Sequence, residues 1–391
     1  MHLDYTPEQR ALKTQLRAYF ERLLDADTQA EMAGSEGGGP LYHRALQQMG
    51  RDGWLGIGWP KEWGGQARSA IEQFIFFDEV QRAGFPIPFL TLNTVGPTLI
   101  KYGTDEQKTA FLPRIVRGEL HFAIGYTEPG AGTDLASLKT RADRDGDCFV
   151  INGQKVFTSC ADYADYIWLA VRTDPSAPKH KGISIFIVDR RAPGVTMTPI
   201  RTLGGNNTHA TYYENVRVPA SMLVGRENEG WRLITTQLNH ERVALCPTGP
   251  ISRFLDEVTA WARATTAPGG GRVLDRPWVR ANLAKVHAKL EIVKLWNWRQ
   301  AWNIGRGALP PEEASAVKVF TTELNVEAYR LFMEILGAAG ALRPGSAGAV
   351  LSGRLERYSR ATLVLTFGGG TNEVQRDIIA TVGLGMPRAA R

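Results

Sequence analysis

A block of short β-rich runs interrupts a chain that otherwise shows helical periodicity. The runs CFVINGQKVFTSC, YIWLAVRT, GISIFIVDR and TYYENVRVP are separated by turn signals such as Asp145-Gly146 and Pro193-Gly194. The segments before and after this block carry apolar residues at helical spacing instead. The order predicts an α+β fold with three domains: helical over residues 1–120, β over 121–225 and helical over 226–391.

The helical segments have recognisable start signals and interruptions. Thr6-Pro7-Glu8-Gln9 combines an N-cap threonine, a proline at the first helical position and a glutamine three residues after the cap. This pattern predicts that a helix begins there. Glycine- and proline-rich stretches occur at residues 265–277 and 337–345. Long patterned helical segments cover residues 231–264, 279–306, 312–337 and 347–365.

The charge balance argues against a nucleic-acid-binding protein. Lys and Arg total 46 and Asp and Glu total 40, and the resulting formal net charge of +6 is spread along the 391 residues. Nucleic-acid binding requires a concentrated basic face. A modest basic excess suits an anionic substrate or cofactor instead.

The cysteines and the length of the apolar stretches indicate the cellular compartment. The three cysteines, Cys148, Cys160 and Cys246, form no CxxC pair, which argues against a disulfide framework and fits a reducing cytoplasm. The N-terminus lacks the pattern of a signal peptide, and no apolar stretch is long enough to span a bilayer. We therefore expect a cytoplasmic protein with no membrane span and no metal.

Glu241 lies on the apolar stripe of its predicted helix. At 100° per residue, Ile234, Leu238, Glu241 and Leu245 fall within a sector of about 60°. A carboxylate moved toward an apolar, enclosed site has a raised pKa and becomes a useful general base near neutral pH. The alternative is a glutamate at the edge of the stripe, paired with Arg242 or His240.

Three further segments have residue types suited to ligand binding. Residues 126–134 (YTEPGAGTD) offer free backbone N–H groups, residues 155–159 (KVFTS) offer an aromatic ring with two hydroxyls, and residues 366–373 (TFGGGTNE) allow close backbone approach before a capped helix. Taken alone, each also fits a structural role: a glycine-rich turn, a half-buried strand and an inter-helix turn.

Together these segments resemble the acyl-CoA dehydrogenase family. TEPGAGTD and GGTNEVQRDIIA are specific signatures, and the motifs occur in the family's order and spacing over nearly the whole chain. HFAIGYTEPGAGTDLASL, NGQKVFTS, KHKGISIFIVD, GWRLITTQLNHERV and LTFGGGTNEV are most similar to the actinobacterial subunits of steroid (cholesterol) side-chain degradation. The resemblance implies an N-terminal helical domain, a middle β-domain and a C-terminal four-helix-bundle domain.

The resemblance also implies FAD and α,β-dehydrogenation of an acyl-CoA thioester. In one branch of the family the base follows an aromatic residue in a C-terminal motif, and here that slot is Gly369, which cannot act as a base. In other branches the base precedes an arginine on the long helix after the β-domain, where this chain has Glu241-Arg242. The family pattern therefore favours Glu241 as the base and assigns Arg242 to the substrate.

Several cofactor and substrate roles carry over from the family position by position. Gly369 would offer its N–H to the thioester oxygen, an oxyanion-hole role. Thr133 matches a hydroxyl near the CoA diphosphate, and Glu373 replaces a residue that is glutamine in other members. The resemblance implies flavin contacts from Tyr126, Thr127, Gly132, Thr133, Phe157, Thr158, Ser159, Thr371 and Glu373.

Two departures concern the residues that reach a neighbouring subunit's FAD. The family's Arg-x-x-Phe-Gly motif falls in residues 265–271, where no arginine occupies the slot and Arg272 has the wrong spacing. The family's Gln-x-x-Gly-Gly motif reads Glu334-Ile335-Leu336-Gly337-Ala338 here. Glu334 would place a carboxylate where a diphosphate should lie, which is repulsive.

These departures predict an α2β2 heterotetramer in which a paralogous acyl-CoA dehydrogenase subunit supplies the missing groups. Each heterodimer would hold one FAD, and the enlarged acyl pocket would suit a steroid-derived thioester. An electron-transfer flavoprotein is the acceptor that the resemblance suggests. The first alternative is a homo-oligomeric enzyme for branched or aromatic acyl-CoAs, with Arg272 replacing the missing arginine. The second is a non-catalytic flavoprotein subunit.

Overall fold

The helices fall into two groups, one before and one after the strands in the sequence. The computed structural model describes residues 4–32, 37–244, 246–308 and 310–387, and over residues 238–244 it describes the backbone alone. The first group comprises α1 (Pro7–Leu23), α2 (Ala26–Met32), α3 (Pro40–Arg51), α4 (Ala70–Arg82), a π-helical turn (Thr91–Val95), α5 (Gly96–Tyr102) and α6 (Asp105–Val116). The second comprises α7 (Gly230–Ala244), α8 (Gly249–Ala264), α9 (Pro277–Gly305), α10 (Pro311–Leu336), α11 (Arg354–Ala361) and α12 (Asn372–Ile378).

The strands between the two helical groups form one sheet, in the order β6-β7-β3-β2-β4-β5-β8, with β1 paired to β4. Neighbouring strands run antiparallel except β1 and β2, which each pair with β4 in parallel. The strands are β1 (Phe122–Gly125), β2 (Arg141–Asp145), β3 (Cys148–Lys155), β4 (Tyr166–Arg172), β5 (Ile183–Asp189), β6 (Val195–Arg201), β7 (Asn207–Pro219) and β8 (Leu223–Val224).

Strand β4 is buried on both faces. Because successive side chains of a strand point to opposite faces, Trp168 and Ala170 pack into the core shared with the N-terminal helices. Ile167, Leu169 and Val171 pack instead into a second core within the strand region. A third core lies among the C-terminal helices α8, α9 and α10. The observed order of helices, strands and helices confirms the predicted α+β class, whereas the domain boundaries stay predictions.

The N-terminal start signal is confirmed as a capping box. The Gln9 N–H donates to the Thr6 hydroxyl over 3.3 Å, and the Thr6 N–H donates to the Gln9 side-chain oxygen over 3.1 Å. Pro7 occupies the first turn, where its missing N–H removes no helical hydrogen bond.

The helical prediction over residues 231–264 was wrong in one respect, because two helices occupy that range. Helix α7 ends at Ala244, and α8 begins at Gly249 with a proline in its first turn. Pro247 lies in the break and cannot continue a helix. The range 347–365 contains α11 between two 3₁₀ turns rather than one long helix. Strands β1, β2, β6 and β8 lie outside the four predicted β-rich runs and were missed.

Asp78 on α4 fixes the beginning of α8. Its carboxylate accepts hydrogen bonds from the Thr248 N–H (2.6 Å), the Thr248 hydroxyl (2.9 Å) and the Gly249 N–H (2.7 Å), and all three groups are buried. Gly249 permits this approach, since a Cβ there would lie 2.1 Å from the Asp78 carbonyl oxygen. This contact joins the N-terminal and C-terminal helical groups directly, although the strands separate them in sequence.

No helix within the described ranges is both long enough and apolar enough to cross a lipid bilayer.

Replacing Asp78 by alanine is expected to destabilise the protein by about 2–4 kcal/mol, because buried donors left unpaired cost about 1–3 kcal/mol each. Chemical denaturation followed by circular dichroism measures this loss. Asp256→Ala is the matched control, because Asp256 on α8 forms an exposed ion pair with Arg82, a class of pair worth about 0–1 kcal/mol. Equal unfolding midpoints for the two variants would contradict this role of Asp78.

Candidate active site

Two of the predicted site segments meet at one edge of the sheet. Residues 126–128 follow β1, and residues 156–159 follow β3. The Val156 N–H donates to the Thr127 carbonyl oxygen over 2.8 Å. The Lys155 ammonium donates to the Tyr126 carbonyl oxygen over 3.0 Å. The structure therefore brings Tyr126 and Thr127 beside the Phe157 segment.

Phe157 presents its ring to the surface from a strained backbone. Its φ is +60°, a region that bulky residues rarely adopt, and the residue is 62% exposed. Hydrogen bonds on both sides hold this conformation: Val156 is tied to Thr127, and the Thr158 N–H donates to the His209 carbonyl oxygen over 3.0 Å. Strain of this kind persists only where the surroundings impose it, and it is concentrated at functional sites.

The two hydroxyls after Phe157 are held by strand β7. Thr158 is completely buried, and its hydroxyl lies 3.2 Å from that of Thr211. Ser159 is half-buried, and its hydroxyl donates to that of Thr208 over 3.3 Å. Ser159 therefore retains exposed surface beside the Phe157 ring, whereas the Thr158 side chain faces the interior.

A buried ion pair anchors the segment after β1. The Glu128 carboxylate accepts from the Lys155 ammonium over 2.8 Å and from the Lys139 and Thr140 N–H groups over 2.6 and 2.8 Å. Burial alone would raise the pKa of Glu128, but Lys155 and the bonds from Thr140 outweigh burial and lower that pKa. The charged pair thus fixes the loop to the end of β3.

The loop that follows this pair is open to solvent. Glu128 and Ala131 exchange two backbone hydrogen bonds of 3.1 Å, which makes a tight turn, and Gly132 and Thr133 beyond it are exposed. An ion pair between Asp134 and Lys179 ties the far end of the loop. A cavity of about 300 Å³ lies beside the turn and is lined by Pro129, Gly130, Lys139, Thr140, Gly153 and Gln154, among others.

Tyr126 connects this edge of the sheet to helix α7. Its hydroxyl donates to the Gln237 side-chain oxygen and accepts from the Trp168 indole N–H over 3.2 Å. Gln237 lies one turn before Glu241, so the two residues share a helix face. The predicted side-chain roles of Glu241 and Arg242 lie outside the described part of the structure, which places their backbone in α7.

The C-terminal predicted residues lie just before α12 and in its first turn. Gly369 and Gly370 have φ values of +68° and +94° and are exposed. The Thr371 hydroxyl accepts from the Val374 N–H over 3.3 Å and caps α12. Hydrogen bonds from its own N–H and from Thr371 lower the pKa of the exposed Glu373. Within the described residues, no hydrogen bond joins this group directly to the Phe157 segment.

Residues 265–271 lack the arginine of the family's Arg-x-x-Phe-Gly motif, and the arginines nearby are bound within their own loop. Arg272 donates to Asp275 through Nε and Nη2, both over 2.9 Å, and lowers the pKa of Asp275 to about 2. Arg276 donates to the Pro268 carbonyl oxygen over 2.6 Å. At the second departure, the Glu334 carboxylate accepts from Arg330 over 2.7 Å and remains partly exposed.

The sequence reasoning gave no role to three residues that make buried contacts here: Lys155, Gln237 and Lys318, whose ammonium donates to the Gly370 carbonyl oxygen over 2.7 Å. Lys155 is separated from Phe149 and Ile151 by an even number of positions on β3. Because side chains alternate between the two faces of a strand, this spacing alone would have placed the lysine on the buried face. Lys318 stands among apolar residues on α10, where an isolated cation requires a partner. The role of Gln237 depends on contact with Tyr126, which is 111 positions away, and has no local signal.

Three domain profiles of the acyl-CoA dehydrogenase family match the chain in order. The N-terminal domain matches residues 6–119, the middle domain residues 123–216 and the C-terminal domain residues 228–384. Two relatives from Mycobacterium tuberculosis, acyl-CoA dehydrogenases FadE26 and FadE29, are 57% and 51% identical to this chain over 100% of both sequences.

Solved structures with the same fold include two heteromeric proteins. The Tcur3481-Tcur3483 steroid ACAD matches with a TM-score of 0.95 and 55% identity. The ChsE4-ChsE5 complex from Mycobacterium tuberculosis matches with a TM-score of 0.94 and 57% identity. Both alignments cover 100% of this chain and of the matched chain. This chain therefore belongs to the acyl-CoA dehydrogenase family of enzymes.

Proposed function

We propose that this chain is the catalytic-base subunit of a heteromeric, FAD-dependent enzyme. The enzyme forms an α,β double bond in a bulky acyl-CoA thioester. Its substrates are steroid side-chain CoA esters. The substrate proposal is supported by the full-length likeness to a solved steroid ACAD at 55% identity. The alignment with that protein, and the alignment with the ChsE4-ChsE5 complex, each cover 100% of both chains.

Glu241 is the group that we assign to proton abstraction. The thioester acidifies the α-carbon, and the Glu241 carboxylate takes the α-proton while the electrons of that C–H bond form the new double bond. The position fits because Gln237, one turn earlier on α7, already touches Tyr126 at the sheet edge. Arg242 follows Glu241 directly and would provide positive charge beside the anionic substrate.

The residues at the sheet edge fit FAD, which members of this family typically use. Phe157 offers an exposed planar ring held by a strained backbone, which suits contact with a flat ring system. Tyr126, Thr127 and Ser159 lie around it, and Gly132, Thr133, Thr371 and Glu373 would contact more distant parts of the cofactor. The chemistry that FAD would supply when bound is acceptance of the β-hydrogen with its bonding electrons.

Gly369 is the donor that we assign to the thioester oxygen. None of the described residues accepts a hydrogen bond from its N–H, and the residue is exposed. A fixed N–H aimed at an oxygen that gains negative charge as the α-proton leaves stabilises the transition state more than the ground state. Thr133, exposed on the loop after the Glu128 turn, would meet the CoA diphosphate.

The heteromeric proposal depends most on the loop of residues 265–277. Its arginines are bound to Asp275 and Pro268 within the same loop, and Glu334 presents a carboxylate at the other departure from the family pattern. A paralogous subunit that retains the family's arginine and glutamine would complete the FAD site. An α2β2 tetramer would then hold two FAD and pass electrons to an electron-transfer flavoprotein.

Two alternatives remain distinct from this proposal. A homo-oligomeric enzyme for branched or aromatic acyl-CoAs would require Arg272 to leave its bidentate pair with Asp275. A non-catalytic flavoprotein subunit would have no use for Glu241. The first is tested by cofactor content and the second by turnover of a Glu241 variant.

The isolated chain is expected to contain little FAD, and co-expression with a paralogous acyl-CoA dehydrogenase subunit that retains the family's arginine and glutamine is expected to give two FAD per α2β2 tetramer. The reason is that the groups for the FAD diphosphate would come from the partner. Flavin absorbance and native mass spectrometry measure both quantities. Full loading of the isolated chain, with turnover, would favour the homo-oligomeric alternative.

Glu241→Gln is expected to lower kcat by roughly 10²–10⁴-fold in the complex, the range typical of general-base catalysis. Stopped-flow flavin reduction by a saturated acyl-CoA measures the effect. Glu227→Gln is the control, because Glu227 forms a surface pair with Arg144 over 2.8 Å. Wild-type turnover by the Glu241 variant would instead support a non-catalytic role.

Lys155→Met is expected to reduce FAD retention and to destabilise the protein by about 3–5 kcal/mol at pH 7, because it leaves the Glu128 carboxylate buried without a counter-charge. Denaturant unfolding and flavin content after gel filtration measure the two effects. The double variant Glu128→Gln/Lys155→Met should regain part of the stability.

The control is Arg141→Met, which removes an exposed pair with Asp143. Since the pKa of Glu128 is lowered in the folded state, its stabilising contribution is present above the unfolded-state pKa of about 4.3 and is lost at lower pH. The variants should therefore be compared at neutral pH. A Lys155 variant as stable as the Arg141 variant would contradict the anchoring role.

A further inference from the structure

Lys318 is a buried cation directly beneath the glycine-rich segment. It lies on α10 and is only 1% exposed. Its ammonium donates to the Gly370 carbonyl oxygen over 2.7 Å and to the Asn372 side-chain oxygen over 2.9 Å. Burying an ammonium group is costly unless hydrogen bonds compensate, so these contacts hold the segment and the lysine in one arrangement.

Asn372 adds further contacts between the glycine-rich segment and α10. Its side-chain nitrogen lies 3.1 Å from the Thr322 hydroxyl and 3.3 Å from the Glu323 carboxylate. Residues 318 and 322 are one turn apart and therefore share a face of α10. Glu323 also accepts from Arg376 on α12 over 2.6 Å. The segment between α11 and α12 is thus bound to α10 on the side of Asn372.

The glycines themselves have no side chains with which to fix their position. On one side, the Gly368 N–H donates to the Val364 carbonyl oxygen over 2.7 Å. On the other side, Lys318 holds the Gly370 carbonyl oxygen. Gly369 lies between these two anchors with its backbone in the left-handed region. The peptide that carries its N–H therefore lies between two anchored positions, one of which is bound to Lys318.

We infer that Lys318 is a positioning residue for the reaction: it holds residues 369–372 so that the Gly369 N–H points at the thioester oxygen of the acyl-CoA. This inference rests on the proposed function, which assigns that N–H to the oxygen. Lysine suits the role because bonds from a charged donor are stronger than neutral ones. Its charge also has the sign that favours negative charge developing on the oxygen.

Lys318→Met in the complete complex tests the inference. The exchange of substrate α-hydrogens with D2O reports the transient negative charge on the thioester oxygen, and it is measured by mass spectrometry of recovered acyl-CoA. We expect kcat and the exchange rate to fall together by about 10- to 100-fold. This is less than the ~10²–10³-fold cost of deleting an oxyanion donor itself. KM should change little.

Flavin content, thermal midpoint and kcat per bound flavin separate positioning from loss of structure. Lys285→Met is the matched control, because Lys285 is half-exposed on α9 and pairs with Glu327. Asn372→Ala should reproduce part of the defect, and the double variant should be less impaired than the product of the single effects, because both changes release the same segment. Lys318→Arg should recover part of the lost exchange rate.

A Lys318→Met complex with kcat and exchange within twofold of the wild type would overturn the inference, as would a loss explained wholly by missing flavin. If that variant does not fold, Asn372→Ala decides the matter: wild-type exchange would contradict the inference, and a several-fold loss with full flavin content would support it. Failure of the proposed function is distinct, since the wild-type complex would then show neither dehydrogenation nor exchange.

Discussion

The burial of strand β4 on both faces is the constraint on which the rest of this structure depends. Trp168 and Ala170 require cover from the N-terminal helices, and Ile167, Leu169 and Val171 require a second core on the opposite face. A strand that is apolar on both sides cannot lie at a solvent-facing surface. The candidate site consequently forms at an edge of the sheet, where β1 and β3 end and the chain leaves these cores.

Buried charges then fix the loops that emerge from this framework. Lys155 holds the turn at Glu128, and Lys318 holds the segment at Gly370. Both lysines come from regular elements and bind irregular ones, so each loop inherits the rigidity of a strand or a helix. The proposed reaction, which would align a carboxylate, an N–H donor and a flat cofactor, would benefit from such supports, because small misalignments reduce rates strongly.

The outline of the fold could be predicted from local sequence because its signals are local. The capping box at Thr6 and the alternation in the β-rich runs involve residues only a few positions apart. Strand β2 was missed because Ala142 is its only apolar residue, whereas β6 was missed although Val195 and Met197 alternate with threonines. The break between α7 and α8 was missed because the periodicity of α7 and that of α8 were read as one. The contacts of Gln237 and Lys318 join residues 50 or more positions apart, which no local pattern encodes.

The contact between Asp78 and Gly249 has a consequence for recombining related subunits. The two residues lie on helices separated in sequence by the entire strand region, and the Asp78 carbonyl oxygen leaves no room for a Cβ at position 249. A chimera that exchanges only the C-terminal half would preserve this junction only if its new α8 also begins with a residue lacking a side chain. Crossover points for hybrid enzymes are therefore limited by compatibility between α4 and α8, as well as by the strands that separate them.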